Sequence, residues 1–214
     1  MEWSQPIDLY CERTDTTFWA EPINAITNVA FLIAAGAAYV EWRRRADDWP
    51  VLALVVVTVL VGIGSSIFHT VATAGAALFD VIPIALFIYG YLFLALRRFF
   101  QLTPMASIAI VAAFAALSHG LATLLPPDSL NGSHAYLPAL AATLVIGCLL
   151  RSRPAGRAIM AAAGVLAVSL TFRTIDLVVC QAFPLGTHFA WHTLNGLVLY
   201  LLLRAAMVER GQVA

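Results

Sequence analysis

The sequence contains no lysine, and all twelve of its basic residues are arginine. A retinal Schiff base is therefore impossible, which removes one familiar class of seven-helix protein. Charge of either sign is scarce. Only 11% of the 214 residues are charged and 61% are hydrophobic, whereas a soluble globular domain carries about 25% charge. The formal net charge is zero, so nothing suggests a nucleic-acid partner. A cleavable signal peptide is not expected either. The first twenty residues hold Glu2, Asp8, Glu12 and Asp15 with one arginine, and lack the basic start and apolar run that such a signal needs. No low-complexity segment, internal repeat or polar stretch long enough for a soluble domain is visible.

What is present is apolar sequence in long runs. Stretches able to cross about 30 Å of hydrocarbon fall at roughly 22–42, 51–71, 78–97, 104–125, 134–151, 155–176 and 186–206. The expectation is one all-α domain over 1–214, with an acidic segment at 1–21, a polytopic bundle of seven transmembrane helices at 22–206 and a tail at 207–214. Arginine sets the orientation. Arg43, Arg44, Arg45, Arg97, Arg98, Arg151, Arg153, Arg157, Arg204 and Arg210 sit at the first, third and fifth connections and the C-terminus, and only Arg13 and Arg173 lie towards the other side. The positive-inside rule predicts the N-terminus outside and the C-terminus in the cytoplasm.

Five polar residues stand out against this background: Ser65, His69, Asp80, His188 and His192. Ser65 and His69, like His188 and His192, are spaced i, i+4 and share a helix face. The predicted topology brings all five to a similar depth near the outer ends of three helices. Ionisable groups at membrane depth are costly, so they are functional candidates by default. Imidazoles on adjacent turns stand about 6 Å apart, close enough to share one zinc ion at roughly 2.0–2.1 Å each. His69 supplies a third ligand from a facing helix. Asp80 is either a fourth ligand through water or an acid/base beside the metal. Ser65 either bonds a bound oxygen or a ligand, or forms a packing face with Gly62 and Gly64. One membrane histidine alone would ordinarily be a helix–helix hydrogen bond, and it is the joint pattern that favours a metal.

Asp8, Glu12, Asp15 and Glu21 crowd the segment before the first helix. Hard oxygen ligands in a loop suit Ca²⁺, and a solvated acidic tail is the alternative. Cys11 and Cys180 fall on the predicted outer side and Cys148 near the cytoplasmic end of the fifth span. Arg173 and Asp176 are expected to form a structural ion pair. His119 is expected to be a hydrogen-bonded structural residue, and His134 to be interfacial.

The stretches CERTDTTFWAEPINAITN, GIGSSIFHTVATAGAALFD and FRTIDLVVCQAFPLGTHFAWHTLNGL resemble the alkaline ceramidases and their wider superfamily, which includes the adiponectin receptors. The resemblance covers nearly the whole chain, with little from the fourth and fifth spans. It implies that His69, His188 and His192 bind zinc and that Asp80 and Ser65 occupy catalytic positions. It implies a Cys11–Cys180 disulfide. Glu12 and Glu21 match calcium ligands of that family. Asp8 stands one residue further from Cys11 than the family pattern, and Thr14 replaces an expected Asn, for which Asp15 could substitute. The expected function is zinc-dependent intramembrane hydrolysis of the amide of ceramide or a related lipid, to a sphingoid base and a fatty acid. An ester hydrolase of another membrane lipid and a receptor of the adiponectin-receptor type are the alternatives. The short loops argue against the receptor and suit a bacterial inner membrane, with the site towards the periplasm.

Overall fold

A computed structural model describes residues 2–44 and 48–210. Arg45, counted above for orientation, and the last four residues of the tail lie outside that range. The described residues are helical apart from connections and one isolated antiparallel bridge, Pro6 to Thr73. The helices are α1 (Pro22–Thr27), α2 (Val29–Arg43), α3 (Trp49–Val71), α4 (Ala74–Phe99), α5 (Pro104–Leu124), α6 (Leu137–Leu149), α7 (Pro154–Val179) and α8 (His188–Arg210), with a 3-10 helix at Ser129–Tyr136 before α6. They make seven spans long and apolar enough to cross a membrane, the first from α1 and α2 together and the fifth from the 3-10 helix and α6.

Local chemistry starts these helices. A proline occupies the first turn of α1, α3, α5, α6 and α7, where its missing N–H costs nothing. Thr73 and Thr103 cap α4 and α5 by accepting from the amides of Ala76 and Ala106, one of the groups a helix start leaves unpaired. The spans differ from the expected limits at their ends. α4 starts at Ala74 rather than residue 78 because the Thr73 cap opens the helix before the apolar run begins. The first span breaks at Asn28, whose side-chain amide donates to the Asn24 carbonyl.

Between α3 and α4 the chain turns in two residues. Ala72 adopts the left-handed conformation (φ 45°) and its amide bonds the Phe68 carbonyl, a common helix terminator. The N-terminal segment lies across this turn, with Ile7 N to Ala72 O at 2.8 Å and Ala74 N to Gln5 O at 3.0 Å. Pro83 lies inside α4 and cannot donate to the Phe79 carbonyl one turn back. That carbonyl rests on Gly64 of α3, where any Cβ would collide with it. The freed carbonyl and the bare glycine let the two backbones approach next to Ser65 and Asp80.

The hydrophobic core occupies the half of the bundle away from the N-terminal segment. It joins Ala35 and Ala38 of α2, Val51 of α3, Phe87 to Phe99 of α4, Ile159 of α7 and Leu203 of α8. Fully buried Ala155, Ala162, Ala163, Ala205 and Ala206 let α7 and α8 pack closely. α8 is the most enclosed span and packs on α7, α2, α3 and α4, whereas α5 is the least enclosed and leans on α4 and the 3-10 helix. At the far end Arg98 grips Asp48 with two nitrogens, at 2.7 and 2.9 Å, and Arg153 meets Glu209 at 2.8 Å.

Candidate metal centre

Helix ends from the two sides of the bundle converge at the end where the N-terminal segment packs. His69 lies in the last turn of α3, His188 opens α8, and His192 follows one turn later. Their rings are 4.6 to 5.2 Å apart between centroids. One ligand nitrogen from each lies within 4.8 Å of the others, and all three are buried. His69 Nε2 and His188 Nδ1 are buried with no hydrogen-bond partner. Buried polar atoms are ordinarily satisfied, and a divalent cation would satisfy these. Three nitrogens from three imidazoles are the donor set of a catalytic zinc site with one position left for water or substrate, so the residues present fit zinc.

The surroundings fix which nitrogen two of the rings offer. Glu21 Oε2 accepts from His69 Nδ1 at 2.6 Å, so the proton sits on Nδ1 and Nε2 carries the free lone pair. Arg13 Nε donates to Glu21 Oε1 at 2.5 Å, and Asn24 Nδ2 to Oε2 at 3.1 Å. Burial alone would raise the Glu21 carboxyl, but the hydrogen bond and charge of His69, with the hydrogen bonds of Arg13 and Asn24, outweigh it and hold the group below its ordinary value. A carboxylate behind a ligating imidazole sets its tautomer and raises its basicity. Glu21→Gln is therefore expected to weaken metal binding by about 10- to 100-fold, read by competition with a coloured chelator, and unchanged affinity would remove Glu21 from this role. His192 Nδ1 pairs with Thr27 Oγ1 at 3.1 Å, leaving Nε2 for the centre.

α8 is held at its first residue by Asp176. Its Oδ1 accepts the amides of Thr187 (2.6 Å) and His188 (2.9 Å), and Oδ2 accepts the amide of Cys11 (3.0 Å). A carboxylate at a helix start is favoured by the helix dipole. Cys11 and Cys180 form the disulfide that the resemblance implied, with Cα atoms 5.3 Å apart. Gly186, at φ 62°, packs so closely on Asp176 and Cys11 that a side chain there would strike both. Asp176 thus ties α7, the N-terminal segment and α8 together. Arg173 is not its partner, and the expected ion pair between them is absent. The Asp176 carboxylate is taken by three backbone amides, and Arg173 donates from Nη1 to the Tyr10 hydroxyl at 2.8 Å.

Asp80, near the start of α4, is half-buried beside this cluster, and its Oδ1 has no partner. The Ser65 hydroxyl hydrogen-bonds the Asp80 carboxylate, and His69 lies within electrostatic range of it. All five residues read from the sequence therefore meet at one place. The acidic segment is distributed otherwise. Glu12 is buried and accepts the amides of Ile23 (2.6 Å) and Asn24 (2.8 Å) at the start of α1, while burial pushes its carboxyl above the ordinary value. Asp8 and Asp15 are exposed, and hydrogen bonds from Thr17 lower the Asp15 carboxyl. Their four carboxylates, Glu21 included, do not gather as the three histidines do. His119 is exposed on α5, and His134 is buried, with Nδ1 2.8 Å from the Ser129 carbonyl in the 3-10 helix.

Tyr10, Thr27 and the role of Glu21 were missed from sequence. Tyr10 is stacked on His188 with ring centroids 3.6 Å apart, and burial pushes its hydroxyl up to about 12, which keeps it protonated. Between α4, α6, α7 and α8 lies a cavity of about 90 Å³. Its walls are apolar almost throughout, and Trp191, Tyr136 and Asn195 stand among the residues that line it.

The bundle thus combines seven helices long and apolar enough to cross a membrane, three imidazoles placed where they could hold a metal ion, and an apolar cavity. The sequence matches the ceramidase family over residues 6–212, nearly its whole length, and the chain belongs to that family. No curated protein matches it. Membership makes it a hydrolase with a lipid substrate.

Proposed function

We propose that the protein is a zinc-dependent amidase that cleaves ceramide, or a close relative of it, within the membrane. The observation that carries this reading is the convergence of His69, His188 and His192 with an unpartnered Asp80 oxygen, in a bundle that also encloses an apolar cavity lined by Trp191. Zinc, when bound, supplies a Lewis acid and lowers the pKa of an attacking water. The chain's own groups supply the rest. The cavity takes aliphatic chains and keeps bulk water from the amide. Asp80 Oδ1 removes a proton from the water and returns it to the leaving nitrogen, as a positioned general base and acid does. Ser65 orients Asp80 through their hydrogen bond. Glu21 and Thr27 hold His69 and His192 in their ligating tautomers, and Asp176 holds His188 in register by fixing the start of α8. Calcium binding at Asp8, Glu12, Asp15 and Glu21 is kept as a proposal on the family pattern alone. The arginine bias supports a centre on the side away from the cytoplasm, which in a bacterial inner membrane would be the periplasmic side.

Purified protein assayed on long-chain ceramide and on a phospholipid of matched chain length distinguishes the bond cleaved. Release of sphingoid base with no ester cleavage is the expected result. Ester cleavage alone would transfer the reading to a lipid esterase, and neither reaction in metal-loaded protein would favour a receptor.

A further inference from the structure

Arg173 is a cation without an acidic partner. Its guanidinium lies 5.4 Å from the Trp191 ring and 5.6 Å from those of Tyr10 and Tyr136. Among the described residues no carboxylate comes within 4.0 Å of it. Nη1 is used by the Tyr10 hydroxyl, and Nε is buried with no partner. Nη2 faces Gly132, where even a Cβ would stand 3.2 Å away. A guanidinium recognises carboxylates and phosphates through two parallel N–H groups, and the Nε–Nη2 edge is such a pair. Three aromatic faces stabilise the cation without occupying that edge.

The position of the edge gives it a ligand. Tyr10 stacks on His188, Trp191 lies between the two histidines of α8, and both Trp191 and Tyr136 line the apolar cavity. The guanidinium is within electrostatic range of Asp80, His188 and His192. A lipid with its tail in the cavity therefore presents its polar end to this cation. A neutral hydroxyl or carbonyl offers the pair a single uncharged acceptor oxygen, whereas an oxyanion meets both N–H groups with two oxygens and the opposite charge. We propose that Arg173 is an oxyanion-recognition residue beside the metal centre, and that a lipid held there carries a carboxylate or a phosphate. This rests on the cavity being a lipid site, as proposed above, but not on turnover. The carboxylate would be that of a released fatty acid, and the phosphate would belong to a lipid headgroup.

Competition against a fluorescent neutral lipid tests this. Hexadecanoate, hexadecyl phosphate and hexadecanol are titrated into the protein as purified and after chelation of its metal. At least one anion is expected to displace the probe at a tenfold lower concentration than the alcohol in both states. R173Q is expected to abolish that preference while leaving hexadecanol unchanged. A preference for hexadecanoate assigns the edge to product, and one for the phosphate assigns it to a headgroup. R173K keeps the charge but not the fork, so it is expected to lose most of the preference, and it decides the matter if R173Q no longer binds the probe. The proposal is overturned if the wild type shows no preference, if R173Q keeps it, or if chelation removes it with Arg173 intact. Ceramide cleavage is not among these readouts, so the failure of one proposal leaves the other standing.

Discussion

His192→Ala will purify without its metal and will not hydrolyse ceramide. The three rings offer one nitrogen each within 4.8 Å of one another, so losing one leaves two donors for an ion that takes three protein ligands in catalytic sites. Lewis-acid stabilisation of the transition state amounts to several kcal/mol, and each 1.36 kcal/mol is a tenfold rate change. The fall in rate should therefore be roughly 10³-fold or more. Elemental analysis of wild type and variant, with circular dichroism to verify the helices, reads both parts of the prediction. Beyond the metal, His192 makes only local hydrogen bonds to Thr27 and the Asn24 backbone at the start of the first span, so its truncation should leave the bundle intact. A folded variant that keeps one metal ion per chain would end the three-histidine reading.

The second large effect is expected at Asp80. Asp80→Asn keeps the shape and the Ser65 neighbour but cannot take a proton from water. General acid–base catalysis contributes about 10²–10⁴-fold, and kcat should fall by that amount while metal content stays at the wild-type level. That split separates the two roles open to this carboxylate. Loss of metal together with activity would make Asp80 a ligand, and an unchanged kcat would leave it no part in the reaction. Ser65→Ala should cost less, because Ser65 acts through Asp80.

Much of this centre was legible in the sequence, because a helix repeats its faces. The i, i+4 pairs Ser65–His69 and His188–His192 announce a common face, and an apolar background makes each polar residue conspicuous. The partners of the histidines carry no such mark. Glu21 and Glu12 stand in a connection without periodicity, where a carboxylate looks the same whether it meets a cation, an imidazole or a helix start. Tyr10 and Thr27 meet His188 and His192 across 178 and 165 positions of sequence, respectively, contacts that only the folded chain creates. The pairing expected of Arg173 and Asp176 followed from their spacing on one helix. It failed because both side chains leave that helix, one for three backbone amides and the other for three aromatic rings.

The loose attachment of α5 has a bearing on supply. Phe114 of that helix lines the cavity, yet α5 rests mainly on α4 and the 3-10 helix and turns most of its surface outwards. A wall held so lightly is the least enclosed route by which a lipid in the surrounding bilayer would enter. Molecules that reach the centre through it arrive by sideways diffusion among their neighbours, so their mole fraction in the membrane, rather than their total concentration in the suspension, would set how fast the protein works.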